Sequence, residues 1–367
     1  VSTGLVAHHA YPVIDCRILG KHRLLQLKNP WGRVRWRGRF SPGHESWQEV
    51  NELAPSLEEL LGHNPLKADV DDGHFWIEWQ DVLRYFSHLY LSWKPRSLGT
   101  CYELHGCFDP HPHFATSSLP DDTHLTAFVP QYLLRLEQIP DEEVVMVWIL
   151  LSRHVRLRSE MSTKYVAAHV YKNNARVCCP DNAPLEQGVY SNGECALVKL
   201  RVHEKGSGDF VVTVSQHANK VPFNFTLQVY SPVPATLSEL PPLVPRHYSS
   251  GSASGSWIHE TAGGCSNNLW SYFQNPHWCF EVPDSGISDL VLFLECPAEH
   301  SVNVRLFRGP IARPEALRQA ETSGAYRQGC SVLKVENLAP GPYVLVCSTF
   351  RKGLLAPYRL AWHSSKP

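Results

Sequence analysis

Four segments of this chain occur twice, in the same order, and that repetition limits the architecture more than any other feature. "VPQYLLRL" (Val129 to Leu136) returns as "NPHWCFEV" (Asn275 to Val282), and "VVMVWILLSRH" ending at His154 returns as "LVLFLECPAEH" ending at His300. "ECALVKL" (Glu194 to Leu200) returns as "GCSVLKV" (Gly329 to Val335), and "GDFVVTVS" (Gly208 to Ser215) as "GPYVLVCS" (Gly341 to Ser348). The repeated pieces are short, apolar and separated by turn residues, the pattern of antiparallel β-sandwiches. Two tandem sandwiches are therefore expected, over 99–233 and 256–367, joined by a Pro-, Ser- and Gly-rich linker over 234–255.

The first 98 residues read differently, as mixed helix and strand. Ala10 to Cys16 and Arg23 to Lys28 are apolar and β-branched enough for two strands, with "LGKH" (Leu19 to His22) as the turn of an antiparallel hairpin. Pro12 removes a backbone donor from the first strand and predicts an edge position or a bulge there. "PSLEELLG" carries Ser56 as N-cap, Glu59 three residues on and Gly62 as a stop, which predicts a short helix. Phe75 to Trp79 is read as a strand, Gln80 to Phe86 as a helix and Leu89 to Trp93 as a strand.

Charge and cysteine content narrow the function classes. With 34 basic and 35 acidic residues the formal net charge is −1, which supplies no electrostatic reason to expect nucleic acid or an anionic membrane as partner. No run of 18 apolar residues predicts a transmembrane segment. The 11 cysteines are odd in number, lie in a large chain and lack CxxC spacing at Cys101/Cys107 and Cys178/Cys179, so they read as reduced and structural, and the expected location is cytoplasmic. Two histidines in "DPHPHF" (Asp109 to Phe114) have no HxxxH spacing and read as a polar loop. Acidic residues in "PDEE" (Pro140 to Glu143) and "PDSG" (Pro283 to Gly286) are scattered where a calcium site needs convergence, so the sandwiches are not expected to bind calcium or lipid through them.

His9 and Asn29 fall at the two open ends of the predicted hairpin, within side-chain reach of each other. Either alone is ordinary: a His beside Ala10 and Tyr11 is more often structural, and Asn29 before Pro30 starts turns. Together they are an imidazole base and an amide able to orient it, two of the three parts of a Cys-His-Asn protease.

These residues stand in longer motifs. "GLVxxHAYxV", then "LKNPWGxVxWxGxF" and "DDGHFWIEWQDVLRYF", resemble the second half of a calpain protease core. The duplicated sandwich, with "GSWIHETAGGC" (Gly255 to Cys265) opening its second copy, is similar to the atypical calpains of the calpain-7 and PalB type. The resemblance implies an α+β papain-like half-core over 1–98, β-rich with short helices, followed by the two antiparallel β-sandwiches. It implies that His9 is the catalytic base, Asn29 its orienting amide, and Trp31 the indole shielding their hydrogen bond. The family nucleophile sits in Gly-Asp-Cys-Trp upstream of the base; that tetrapeptide is absent here, and neither Cys16 nor Cys265 precedes a helix as such a nucleophile does. The chain is therefore expected to be a fragment of a longer cytosolic cysteine endopeptidase acting on protein substrates, inactive alone. Endosomal sorting or pH-signalling partners are implied by the same resemblance. The alternative is a noncatalytic protein-binding module with a protease remnant attached.

The resemblance bears on cofactors too. In conventional calpains two loops of this half-core hold a calcium ion. At the matching positions Arg35, Pro42 and His74 replace carboxylates and only Asp72 is retained. No calcium and no other cofactor is expected, because calcium needs several hard oxygen ligands and Arg35 adds a cation.

Overall fold

The computed structural model describes residues 3–32, 34–51, 72–94, 97–115, 125–141, 144–155, 165–180, 183–217, 221–310, 312 and 314–365. It divides into two compact units, Val1–Trp93 and Lys94–Pro367. Among the described residues the protein is β-rich, with antiparallel sheets and a few short helices, and no helix is long and apolar enough to cross a membrane.

In the first unit β1 (Val13–Leu19), β2 (His22–Lys28) and β3 (His74–Glu78) form one sheet in that order. The β1–β2 hairpin closes on Leu19↔His22, with Gly20 at φ 58 in the two-residue turn, a conformation glycine adopts without strain. β1 is an edge strand, and its register shifts between Val13 and Asp15 immediately after Pro12, so both readings of that proline apply. Buried His22 ties the sheet to its surroundings: its Nδ1 lies 2.7 Å from Glu78 Oε1, while Arg39 bridges Glu78 and Glu49. The expected helix falls on Trp79–Tyr85. Leu89 to Trp93 is not a strand: Leu89, Tyr90, Leu91 and Trp93 are exposed, and among the described residues no strand forms a ladder with this stretch. The helix expected from Ser56 to Gly62 lies outside the described residues.

The first half of the second unit contains β4 (Thr100–Phe108), β5 (Gln131–Ile139), β6 (Val145–Arg153), β7 (Val166–Lys172), β8 (Glu186–Gln187), β9 (Cys195–Val202), β10 (Gly206–Gln216), β11 (Phe223–Ser231) and β12 (Ala235–Glu239). They form two sheets, β12-β5-β10-β7-β8 and β4-β11-β6-β9, whose inward residues meet in one core that includes Leu134, Val147, Val212 and Phe225. The second half contains β13 (Ser249–Trp257), β14 (His277–Val282), β15 (Ile287–Glu295), β16 (Ser301–Arg308), β17 (Glu321–Thr322), β18 (Arg327–Gln328), β19 (Cys330–Leu338), β20 (Gly341–Thr349) and β21 (Ala356–Ser364). Its sheets, β13-β21-β15-β19 and β14-β20-β16-β17, with β18 pairing β16, share a core around Leu292, Val304, Leu345 and Leu360.

The repeat is legible in the pairing, with one correction. Cys195 pairs with Ser152, and its counterpart Cys330 pairs with Glu295. Ser152 therefore corresponds to Glu295, not to Ala298 as the end-to-end match of the segments ending at His154 and His300 placed it. That odd slip would turn core residues to the outer face.

The stretch 234–255 is not a free linker, since it contains β12 and most of β13. Its glycines serve packing: a Cβ on Gly251 would lie 2.4 Å from the Trp362 ring, and one on Gly255 would lie 2.4 Å from the Tyr358 hydroxyl. Aromatic rings on β21 cover the glycines of β13, which is why "SSGSASGSW" forms a strand despite poor propensity.

β15 reads "LVLFL" without alternation because both its faces are covered. Leu290, Leu292 and Leu294 face the second core, while Val291 and Phe293 pack with Leu125, Ala127, Cys179 and Val244 from outside that sheet pair. A chain beginning at Ser256 loses most of β13 and bares Val291 and Phe293, so it is expected to aggregate or melt without cooperativity. A chain from Lys94 to Pro367 should melt in one cooperative calorimetric transition.

"DPHPHF" is likewise not a solvated loop. His113 is buried and bonds through Nε2 to the fully buried Glu295, which also receives Arg359 Nη1 at 3.3 Å. His111 stacks on Phe128 at 4.3 Å and His363 stands 5.5 Å from His111. Burial pushes His111 down to about 4, with the charges of His113 and Arg246 acting the same way. Burial, then His113 and His111, push His363 to about 4 as well. Both rings are neutral when folded and take up protons near pH 6.5 when unfolded. Because the folded values are depressed, their contribution is complete above about 6.5 and lost as pH falls towards 4. Melting of Lys94–Pro367 across that window should show a falling Tm, and a flat profile would contradict it.

Candidate active site

The hairpin delivers the two side chains that the sequence pairs. Lys28 N donates to Pro12 O at 3.1 Å, extending the ladder past Val13↔Leu27 so that His9 and Asn29 meet beyond its open end. His9 Nε2 lies 3.0 Å from Asn29 Oδ1.

Asn29 is fully buried and its amide is oriented by three partners. Oδ1 accepts from Trp31 N at 3.0 Å as well as facing His9, and Nδ2 donates to Val34 O at 2.5 Å. The Trp31 N–H identifies the accepting end of the amide, so the ring nitrogen opposite it must be the donor. His9 is thereby held as the Nε2–H tautomer, with Nδ1 left as the basic nitrogen.

Backbone geometry fixes this loop. Gly32 N donates to Asn29 O at 3.0 Å, closing a β-turn with Pro30 and Trp31 at its corners. Asn29 N donates to Gly73 O at 2.8 Å, and a Cβ on Gly73, whose φ is +85, would come within 2.4 Å of Asn29 O. Glycine at 73 is thus what lets the strand-entry loop press against the Asn29 backbone.

The His9 ring is enclosed by two aromatic side chains. Trp31 lies 4.1 Å away at 36° and is itself 68% exposed. Tyr11 meets it edge-on at 5.0 Å and is itself wedged edge-on against Phe75 and Phe86, with its hydroxyl accepting from Val6 N at 2.8 Å. Tyr11 and Gly73 are the site residues that sequence reasoning passed over. Tyr11 had a signal, because a residue two positions from His9 in an extended segment shares its side. Gly73 had none without knowledge of what its backbone touches.

Of the four positions compared for calcium, Asp72 keeps a carboxylate, and both its oxygens are engaged by His74: Oδ1 accepts from the backbone N at 3.0 Å and Oδ2 lies 2.8 Å from ring Nδ1. Burial raises the Asp72 pKa, but the His74 hydrogen bonds outweigh it and hold the carboxyl below its usual range. The cysteines are all free, with Cys16 exposed on β1 and Cys265 buried.

The hairpin thus brings buried Asn29 to the His9 imidazole, with the Trp31 ring 4.1 Å from that imidazole. Residues 1–92 match the model described as calpain family cysteine protease. The chain is 31% identical to calpain-7 of Mus musculus and of Homo sapiens, in each case over 99% of its own length and 44% of theirs. It is 26% identical to the calpain-like protease palB/RIM13 of Aspergillus oryzae over 99% of its own length and 40% of the relative's. The chain is thus similar to calpain-7 and to the palB-type calpain-like proteases over nearly its whole length, and spans less than half the length of these curated relatives.

Proposed function

We propose that this chain is the base-bearing part of a cytoplasmic calpain-type cysteine endopeptidase that cleaves protein substrates by limited proteolysis. The observation that carries the reading is the 3.0 Å approach of His9 Nε2 to an Asn29 oxygen already oriented by Trp31 N. In this reading residues 1–93 are half of a papain-like core, and the two sheet pairs beyond are calpain-type β-sandwiches.

The reaction follows from the tautomer. His9 Nδ1 takes the proton of a cysteine thiol supplied from outside this chain, giving a thiolate–imidazolium pair. The thiolate attacks the scissile carbonyl carbon, and the imidazolium returns its proton to the amine as the C–N bond breaks. Water then attacks the thioester, giving a proton to His9 Nδ1, and the thiolate departs. Asn29 holds the ring throughout without burying a charge, and Trp31 keeps water from competing for its bond.

A casein assay tests the reading. The 367-residue chain should cleave nothing, whereas the longer protein with a Gly-Asp-Cys-Trp segment should cleave casein and be inactivated by a thiol-directed epoxide. Inactivity of that longer protein would instead favour a binding module.

Calcium is expected to have no place here. Asp72 is occupied by His74, and Arg35, Pro42 and His74 offer no carboxylate. Titration calorimetry at micromolar calcium should show no heat, and a stoichiometric site lost on Asp72→Ala would contradict this.

A further inference from the structure

Asn29 holds the His9 ring at one atom, and a ring held at one atom still pivots. The 3.0 Å contact of Nε2 with Oδ1 leaves rotation about the line joining them, and that rotation swings Nδ1 through an arc. A hydrogen bond survives misalignment of about 30°, whereas a group that moves a proton to or from a reacting atom must be held to about 10–20°. The tautomer of the imidazole and the plane of the imidazole therefore need different restraints.

The two aromatic side chains beside the ring are held unequally. Trp31 lies nearer to parallel with the imidazole, but it is largely exposed, and an exposed side chain changes rotamer on a fast timescale. Tyr11 stands across the imidazole at 83° and is braced from three directions. Its ring meets Phe75 of β3 at 5.8 Å and Phe86, just past the Trp79–Tyr85 helix, at 5.7 Å, and packs on the core that includes Leu27, Ile77 and Val82. Its hydroxyl accepts from Val6 N at 2.8 Å. Pro12 follows it and confines the Tyr11 backbone to the extended region, while Pro12 O accepts from Lys28 N on the partner strand.

We infer that Tyr11 is the positioning residue that sets the plane of the His9 imidazole, and with it the direction in which Nδ1 presents its lone pair to the thiol. The thiol belongs to the protease reading above, on which this inference rests; the restraint on the ring does not depend on it. Asn29 and Tyr11 then divide the work. The amide selects which nitrogen carries the proton, and the phenol ring, fixed against sheet, helix and the segment at Val6, selects where the other nitrogen points. Tyr11 touches no reacting atom in this scheme and acts through His9 alone.

The test reads ring order and rate separately. In the 367-residue chain carrying isotope-labelled histidine, NMR relaxation of the His9 ring should report a well-ordered imidazole. Tyr11→Leu should lower that order while Nε2 stays protonated, and Tyr11→Phe, which keeps the ring without the hydroxyl, should restore it. Phe86→Leu, which loosens only the wedge behind Tyr11, should lower the order partway, and it gives the answer if Tyr11→Leu does not fold. In the longer protein, Tyr11→Leu should reduce kcat by about 10- to 100-fold with KM little changed. A His9 ring as ordered in both leucine variants as in the wild type would overturn the inference, and so would a Tyr11→Leu defect confined to Tm or KM. A Tyr11→Phe ring as mobile as that of Tyr11→Leu would overturn it too, by assigning the effect to the hydroxyl. Inactivity of the longer wild-type protein would count against the protease reading instead, and ring order would still decide the role of Tyr11.

Discussion

In the longer protein that supplies the nucleophilic cysteine, His9→Ala should lower kcat by at least about 10³-fold, because the thiol loses the group that deprotonates it and the leaving amine loses its proton donor. KM should change little, since the imidazole acts on the reacting atoms and not on substrate binding. Asn29→Ala should be milder and leave a measurable rate: the base remains, but its tautomer and orientation are no longer fixed. That variant also strips the partners from Trp31 N and Val34 O, so some of its loss should appear as lowered stability. Wild-type activity in Asn29→Ala would show the orienter misassigned. The pH–rate profile should report the Cys–His pair together and not either group alone.

The second large effect concerns stability. Glu295 is fully buried, bonded to His113 and within 3.3 Å of the Arg359 guanidinium. Glu295→Ala removes the fully buried carboxylate from buried His113 and from the partly exposed Arg359 guanidinium, and removing one partner of a buried pair typically costs about 3–5 kcal/mol. His113 is carried by the segment after β4, and Glu295 closes β15, so the loss should loosen the contact between the two sheet pairs first. Urea denaturation of Lys94–Pro367 should show the midpoint falling, with exchange protection lost earliest around Phe128 and Phe293. An unchanged midpoint would mean that the cluster contributes no net stability.

How much of this was legible in the sequence depended on how local the cause was. The hairpin, its turn at Gly20 and the meeting of His9 with Asn29 follow from period-two patterning and a turn signal within a single stretch. The repeat was legible because strand residues facing a shared core are constrained alike. β13 was not, because its glycines are explained only by Trp362 and Tyr358, which arrive from the far end of the chain. "DPHPHF" looked like a solvated loop because the carboxylate that partners His113 belongs to the other repeat. Leu89 to Trp93 has the composition of a strand, yet composition does not supply a neighbour to pair with.

The most direct test is the protonation pattern of the His9 ring, read from long-range nitrogen–proton NMR correlations on the 367-residue chain near pH 8. The account predicts an Nε2–H tautomer in slow exchange with water, with a free pyridine-type Nδ1, and loss of that pattern in Asn29→Ala. A predominant Nδ1–H tautomer, or rapid averaging of the two that Asn29→Ala leaves unchanged, would contradict it.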